Sequence, residues 1–565
     1  MKKTILALVF ITFLANSLIS QKKYPQDYFR NPLDIPIILA GTFGELRSAH
    51  FHSGMDLKTQ QKEGLKVYTS AKGYVSRIKV SNWGYGKALY ITHPNGYTTV
   101  YAHLKKFNKT IENYVRAYQY KKEKVEVQIF PKKNELIIDE NEIIAYSGST
   151  GGFIAPHLHF EIRDTQTENI INPMLFGLIP PDSKTPVINH LRAYTFNDSS
   201  HVSSSNTEIP IVFKQIKTGI YQADKINAYG TIGFSINTYD QQDGALNKNG
   251  IYQLQMFVNG KKTFDHKVNT FSFSESKYVN LLIDYAFYAE HKRKYQKTYI
   301  DPANKLSTYL QTTEQGFIQI EDNLNYSILI KVTDFMGNQS ELTIPVIGKK
   351  TSPKIIKEQL ETAYFIQKDQ AKVISFDEIK LSFPKYTFYH DLFLDIAIKD
   401  STIAIHKPIV PLNKSFRLSF NIEKYSPIQR SNMYIAQVVK NKYYNYCNTV
   451  KTDSIFSTTT RSLGDYKLHA DFEPPIISHC SFYSNQNLTR YRFFSIKVED
   501  SLSGLKEYRA EIDGKWIRME LNVKTNILTY DFSDMPLDKG KHSFTLIAMD
   551  NVGNTRTFTS LFLLK

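Results

Sequence analysis

Three islands of the sequence hold residues that can do chemistry together: His52-Ser-Gly-Met-Asp56, Tyr101-Ala-His103-Leu104 and Pro156-His157-Leu-His159-Phe-Glu161. In a strand, residues i and i+2 share a face, so His157 and His159 aim both imidazoles at one space. Such a pair holds a metal, or one ring binds it while the other works beside it. His52 and Asp56 would stand about 13 Å apart on a straight strand, too far to share an ion. The chain must therefore turn between them, and Gly54 gives it a place to do so. A catalytic zinc takes three protein ligands from His, Asp, Glu or Cys and keeps a fourth position for water. His52, Asp56 and one histidine of the pair complete that set, so the islands read as one zinc site.

Their order, His-x-Gly-x-Asp, then Tyr-x-His-Leu, then Ser147-Gly-Ser-Thr-Gly151 before Pro-His-Leu-His-Phe-Glu, resembles the lysostaphin-like (LytM-type) zinc metalloendopeptidases over about residues 41–164. Members of that family cut peptide bridges in bacterial cell walls. The resemblance implies that His52, Asp56 and His159 are the ligands of one zinc ion and that His103 and His157 are catalytic histidines that do not bind it. It also implies hydrolysis of a peptide bond by zinc-bound water, whose pKa the metal lowers to near ~7. His103 and His157 would position and deprotonate that water or stabilise the oxyanion; the division of labour between them stays open.

Other polar residues of the segment have two readings each. Glu161 shares a strand face with His157 and His159, so it either orients an imidazole from behind or forms an ordinary salt bridge. Tyr101, two residues before His103, faces the groove by the same spacing or packs inside. His50 forms a second His-x-His with His52, but only His52 matches the Gly54 and Asp56 spacing, so His50 is read as a non-ligand and His93 as structural. The 147–152 turn lacks the Gly-Lys-Ser/Thr ending of a phosphate loop and is read as backbone geometry beside the site. Phe153-Ile-Ala-Pro156 after it is bulky enough to narrow the groove next to His157.

The elements that must position these residues read as short strands, at 36–44, 66–69, 73–80 and 87–93, with Asn95-Gly96 as a two-residue hairpin turn and the return strand at 97–103. Relative to the family it resembles, the connection at residues 105–142 is long and reads as an insertion, with a helix-like stretch at 111–120 and a strand pair around 125–138. It either covers one end of the groove or elaborates the surface.

At 565 residues the chain is too long for one core. Its 37 Tyr and 36 Phe favour strands over helices, and the fold class is mainly β: a compact antiparallel metallopeptidase domain followed by immunoglobulin-like β-sandwiches. Lys2 and Lys3 before a short apolar run mark residues 1–20 as a secretory leader, with the peptidase domain at 21–180. The 180–186 stretch, rich in proline, is a linker. Thr185-Pro-Val-Ile-Asn-His190, Val258-Asn-Gly-Lys261 and Asp334-Phe-Met-Gly-Asn338 reappear in order as Pro474-Pro-Ile-Ile-Ser-His479, Ile512-Asp-Gly-Lys515 and Asp550-Asn-Val-Gly-Asn554. Two related sandwiches are expected at 181–350 and 471–565, with another β-rich domain at 353–470. Asp240, Asp243, Asp334 and Asp500 lack the Asp-x-Asp-x-Asp-Gly calcium loop and are read as turn and cap residues.

Two cysteines, Cys447 and Cys480, exclude a disulfide framework; they read as two small buried residues, and a bond between them cannot be decided from spacing. The formal net charge of +16 would draw an exported protein toward anionic envelope polymers or membrane surfaces. No motif concentrates that charge for nucleic acid, and no run of about 18 apolar residues predicts a membrane span in the mature chain. The expected location is the periplasm, the cell envelope or the medium. The expected function is hydrolysis of peptide bonds in peptidoglycan stem peptides or cross-links. The alternatives are a non-hydrolytic envelope protein that regulates other wall hydrolases, or a peptidase of envelope proteins selected through the C-terminal β-domains.

Overall fold

The structure is a computed structural model and describes residues 24–565 except 153, 154, 313, 357, 359, 441 and 442. The leader therefore lies outside the described residues, as do Phe153 and Ile154 of the stretch read as narrowing the groove. The chain is mainly β, with an antiparallel β-domain first and further β-domains after it.

The N-terminal part is built on an antiparallel sheet in the order β1 (Leu39–Gly41), β2 (Met55–Lys58), β11 (His157–Asp164), β6 (Tyr97–Ala102), β5 (Lys87–Thr92), β4 (Gly73–Val80) and β8 (Val127–Ile129). A second, three-stranded sheet joins β3 (Lys66–Tyr68), β10 (Ile143–Ser147) and β7 (Leu104–Phe107). Alternation sorts the central strands. Leu57, Leu89, Ile91, Tyr101, Leu158, Phe160 and Ile162 are buried in one core, while the intervening residues of β11, His157, His159, Glu161 and Arg163, are also buried. Both faces of β11 are thus covered, one by hydrocarbon and one by polar groups that must satisfy each other.

Two expectations are corrected. The hairpin between β5 and β6 forms, but not on a two-residue Asn-Gly turn: the Gly96 amide donates to the His93 carbonyl (3.2 Å) and Gly96 takes φ +88. Proline at 94 favours the first central position of a turn, which leaves the left-handed residue to follow. In the insertion, α1 (Lys109–Lys122) is N-capped by Asn108, whose side chain accepts from the Ile111 amide. The strands after it, β8 and β9 (Ile137–Ile138), do not pair with each other; each adds to the edge of β4, one after the other.

Three further cores follow. The first, at residues 188–346, lies under a twelve-stranded sheet that includes two parallel pairings, of Ile220–Ala223 and of Ile226–Tyr239 with Gln339–Gly348. It does not hang on a free linker: β12 (Ile170–Ile171) pairs with Thr270–Phe271, and Phe43, Phe51 and Ile170 share a small core with Val268, Phe271 and Leu282. The other two cores span residues 366–466 and 482–562. Cys447 packs against one and Cys480 against the other, and both are free thiols.

The last sandwich folds back onto the insertion. Buried Arg518 donates to Asp534 (2.7 Å), Glu112 (3.3 Å) and Gln119 (3.1 Å), and Trp516 meets Tyr120 edge to face. Glu520 pairs with Lys87, and the Lys524 ammonium donates to the Ser149 carbonyl (3.0 Å). The 105–142 insertion is thus the platform on which the C-terminal sandwich rests.

Candidate metal centre and active-site groove

Register brings the site together. Asp56 on β2 and His159 on β11 are directly opposed, so their side chains share a face. His52 arrives from the loop before β2, which lies so close to β11 that a Cβ at Gly54 would stand 2.3 Å from the Phe160 carbonyl oxygen. Gly54 is required for that approach; its φ is not left-handed. His52 Nε2, Asp56 Oδ1 and His159 Nδ1 lie 2.9–3.1 Å from one another.

The opposite side of each ring is fixed. His52 donates Nδ1–H to the Thr42 carbonyl (2.7 Å), and His159 donates Nε2–H to Glu161 Oε1 (2.8 Å). Asp56 Oδ2 accepts from Arg47 (3.3 Å). The three converging atoms are therefore two imidazole nitrogens and a carboxylate oxygen, which once His159 gives up its Nδ1 proton are the donor set a single zinc takes, and the residues fit that metal. Burial works against the Asp56 charge, but His52 and His159 outweigh it and hold the carboxyl well below its usual range. Burial would also lower His159, but hydrogen bonds to Asp56 and Glu161 raise it to about 9.

Glu161 is the hub behind His159. It accepts from Ser53 (2.6 Å) and Tyr85 (2.5 Å) through Oε1 and from Arg163 (2.7 Å) through Oε2. Burial opposes its charge, yet Arg163 and His159 keep it ionised below its usual range. Burial and then the Glu161 charge push the Tyr85 phenol up, so it remains a donor. The Tyr85 ring also stacks on His159 at 5.3 Å.

His103 and His157 stand beside this cluster with ring centroids 4.8 Å apart, and His103 is 5.6 Å from His159. Each has its Nδ1–H on a backbone carbonyl, Thr150 for His103 and Ala155 for His157, both at 2.9 Å. That sets the tautomer and leaves Nε2 as the basic nitrogen. His157 Nε2 is 3.6 Å from Asp56 Oδ1. Burial, then the neighbouring His159 and His157, lowers His103 to about 3, and burial lowers His157 as well.

Tyr101 is corrected. It is fully buried on the opposite face, edge-on to Phe160, with its hydroxyl accepting from the Ser70 amide (2.7 Å). The strand ends at Ala102, and His103 has φ +57; a left-handed residue breaks the two-residue alternation, so residues 101 and 103 do not share a face. The spacing argument did not reach Thr42, Ser53, Tyr85, Thr150 and Arg163. Only Arg163 carried a signal, two residues beyond Glu161 on the same face.

A β-sheet domain with a buried His–Asp–His cluster and two further imidazoles has the features of a metal-dependent hydrolase site. Residues 50–120 match the description "Peptidase family M23", and residues 363–471 match "Zu5-like domain". The chain is 32% identical over 137 residues to the DD-carboxypeptidase/endopeptidase Mpg of Neisseria meningitidis serogroup B, and 31% identical over the same length to that of Neisseria gonorrhoeae. Each alignment covers 24% of this chain and 25% of the relative, so the chain spans about a quarter of the curated relatives it matches. Among solved structures, the catalytic domain of lysostaphin from Staphylococcus simulans is 24% identical, with 24% of this chain and 87% of that one covered and a TM-score of 0.18. The M23 protein EnpA from Enterococcus faecalis is 18% identical over 27% and 88%, with a TM-score of 0.17. The N-terminal part of the chain thus carries a match to peptidase family M23 over residues 50–120. The family match ends inside α1, so the fold, not the match, joins the His157–Glu161 island to the rest.

Proposed function

We propose that this protein is an exported zinc metalloendopeptidase that hydrolyses peptide bonds in peptidoglycan stem peptides or cross-links. The observation that carries the reading is the convergence of His52 Nε2, Asp56 Oδ1 and His159 Nδ1 within 3.1 Å, beside two imidazoles held in the Nδ1–H tautomer. The likeness to Mpg over a quarter of its length supports the substrate class. The leader-like residues 1–20 support export, and among the described residues no helix is long and apolar enough to cross a membrane.

His52, Asp56 and His159 would hold the zinc, with Thr42 and Glu161 fixing the two imidazoles from behind. Zinc there supplies a Lewis acid for the scissile carbonyl and makes water a nucleophile at neutral pH. His103 and His157 are uncharged at neutral pH, so each Nε2 can take a proton from the attacking water. Once protonated, the same nitrogen can donate to the oxyanion or to the leaving amine, which is general acid–base catalysis. The Thr150 and Ala155 carbonyls keep Nδ1 protonated through both steps, so the cycle runs on one nitrogen of each ring.

Mass spectrometry of fragments released from purified peptidoglycan by the chain from Gln21 onward tests the reading. New amino termini that require zinc and disappear in His157→Ala support it and identify the bond. No release by the zinc-loaded chain would reject it.

A further inference from the structure

Outside the active site, the carboxylates of Asp182, Asp240 and Asp334 converge at the entrance of the first sandwich, with one oxygen of each within 4.8 Å of the others. Asp471, Asp500 and Asp550 do the same at the last sandwich. The two clusters share one design. The Asn338 side chain donates to Asp334 Oδ2 (2.7 Å) and to the Asp182 carbonyl (3.3 Å); Asn554 donates to Asp550 Oδ2 (2.7 Å) and to the Asp471 carbonyl (3.0 Å). The turn and cap bonds expected from the sequence are present; in the last cluster they engage all three carboxylates, whereas in the first they leave part of the cluster unsatisfied.

Asp240 is only 2% exposed, and its Oδ1 has no hydrogen-bond partner. Asn249 faces it across two backbone hydrogen bonds (3.0 and 2.8 Å), is equally buried, and neither atom of its amide has a partner. Lys184, the cation beside the first cluster, donates its hydrogen bond to the Gln242 carbonyl (3.2 Å). Burial first, then Asp182 and Asp334, pushes Asp240 up to about 8, and burial raises Asp182 to about 6. Three carboxylates crowded with an unpartnered amide oxygen, and with no nitrogen or sulfur donor among them, make a hard, all-oxygen environment. That donor set suits a hard divalent cation of flexible coordination.

We propose that the first sandwich binds one calcium ion through Asp182, Asp240 and Asp334. Asp182 lies in the connection that enters this sandwich, so the ion would tie that connection to a loop and a turn of the sandwich, fixing how the domain is carried. The inference does not depend on the peptidase reading, and its test has no activity readout.

The test is calorimetric titration of calcium chloride into the full, zinc-loaded chain, with thermal unfolding recorded in parallel for wild type and Asp240→Asn. One equivalent of calcium that depends on Asp240 is expected in the wild type and is absent from the variant. At a hundredfold excess over Kd the wild type should gain roughly 5 °C or more in Tm. The calcium-free Asp240→Asn protein should be no less stable than calcium-free wild type, because the substitution relieves carboxylate repulsion, and this separates ligand loss from misfolding. No heat and no Tm change with calcium would overturn the proposal in favour of a shared proton, as would an equal response in Asp240→Asn. A response to magnesium but not calcium would overturn the choice of ion.

Discussion

His159 uses its two ring nitrogens differently: Nδ1 turns to Asp56 and His52, while Nε2–H is held by Glu161. Without metal, Asp56 and Glu161 keep a proton on this ring up to about 9, and that proton must leave before Nδ1 can take a cation. Asp56 is already ionised across this range. Apparent zinc affinity should therefore tighten about tenfold per pH unit from pH 6 toward 9 and then level off. In Glu161→Gln it should be about 10–100-fold weaker at pH 7. Competition against a chromophoric chelator measures both, and a flat pH profile would contradict the assignment. The sequence exposed the candidate ligand atoms because side-chain type and spacing carry them. It hid Thr42, Thr150 and Ala155 because they act through carbonyl oxygens that every residue has.

The elements that deliver these atoms depend on two departures from regular structure. One is the close pass of the His52–Asp56 loop over β11, where a Cβ at Gly54 would meet the Phe160 backbone. Backbone cannot yield as a flexible side chain can, so Gly54→Ala should cost about 1–3 kcal/mol and lower zinc occupancy. Denaturant unfolding and metal analysis of one preparation check this; wild-type values in both would contradict it. The other is His103, left-handed after β6. Alternation made β11 fully legible, with four polar residues on one face, but it misplaced Tyr101 because the period of two ends where the strand does. The hairpin at residues 93–97 shows the same limit: its existence could be read, while Pro94 decided its turn.

At the scale of the molecule, both flanking sandwiches support the site. The first reaches the His52 side, since the Gly250 amide donates to the Thr42 hydroxyl (3.0 Å) and the Thr42 carbonyl holds His52. The last reaches the histidine side, since Lys524 holds the Ser149 carbonyl in the turn whose Thr150 carbonyl holds His103. A cavity of about 280 Å³ separates that turn from Glu520–Lys524. Arg518→Ala would remove the buried cation that Asp534 and Glu112 share, leaving Asp534 only Arg116 at 3.8 Å, a loss of at most about 3–5 kcal/mol in the docking of the last sandwich. The expected result is faster proteolysis between the Zu5-like region and that sandwich, with a lower kcat for peptide release and unchanged zinc content; an unaltered proteolysis rate would contradict the docking. None of this was legible in the sequence. The repeated landmarks reveal two related sandwiches, but Lys87 and Glu520, 433 residues apart, carry no mark that they meet.

The central claim is that one centre binds zinc with three residues and moves protons with two others. The most direct measurement is peptide release from peptidoglycan by His103→Ala and His157→Ala, with zinc content determined on the same samples. The account predicts near wild-type zinc in both and release lower by at least ~100-fold. Release close to wild type in either variant while zinc is retained would contradict it.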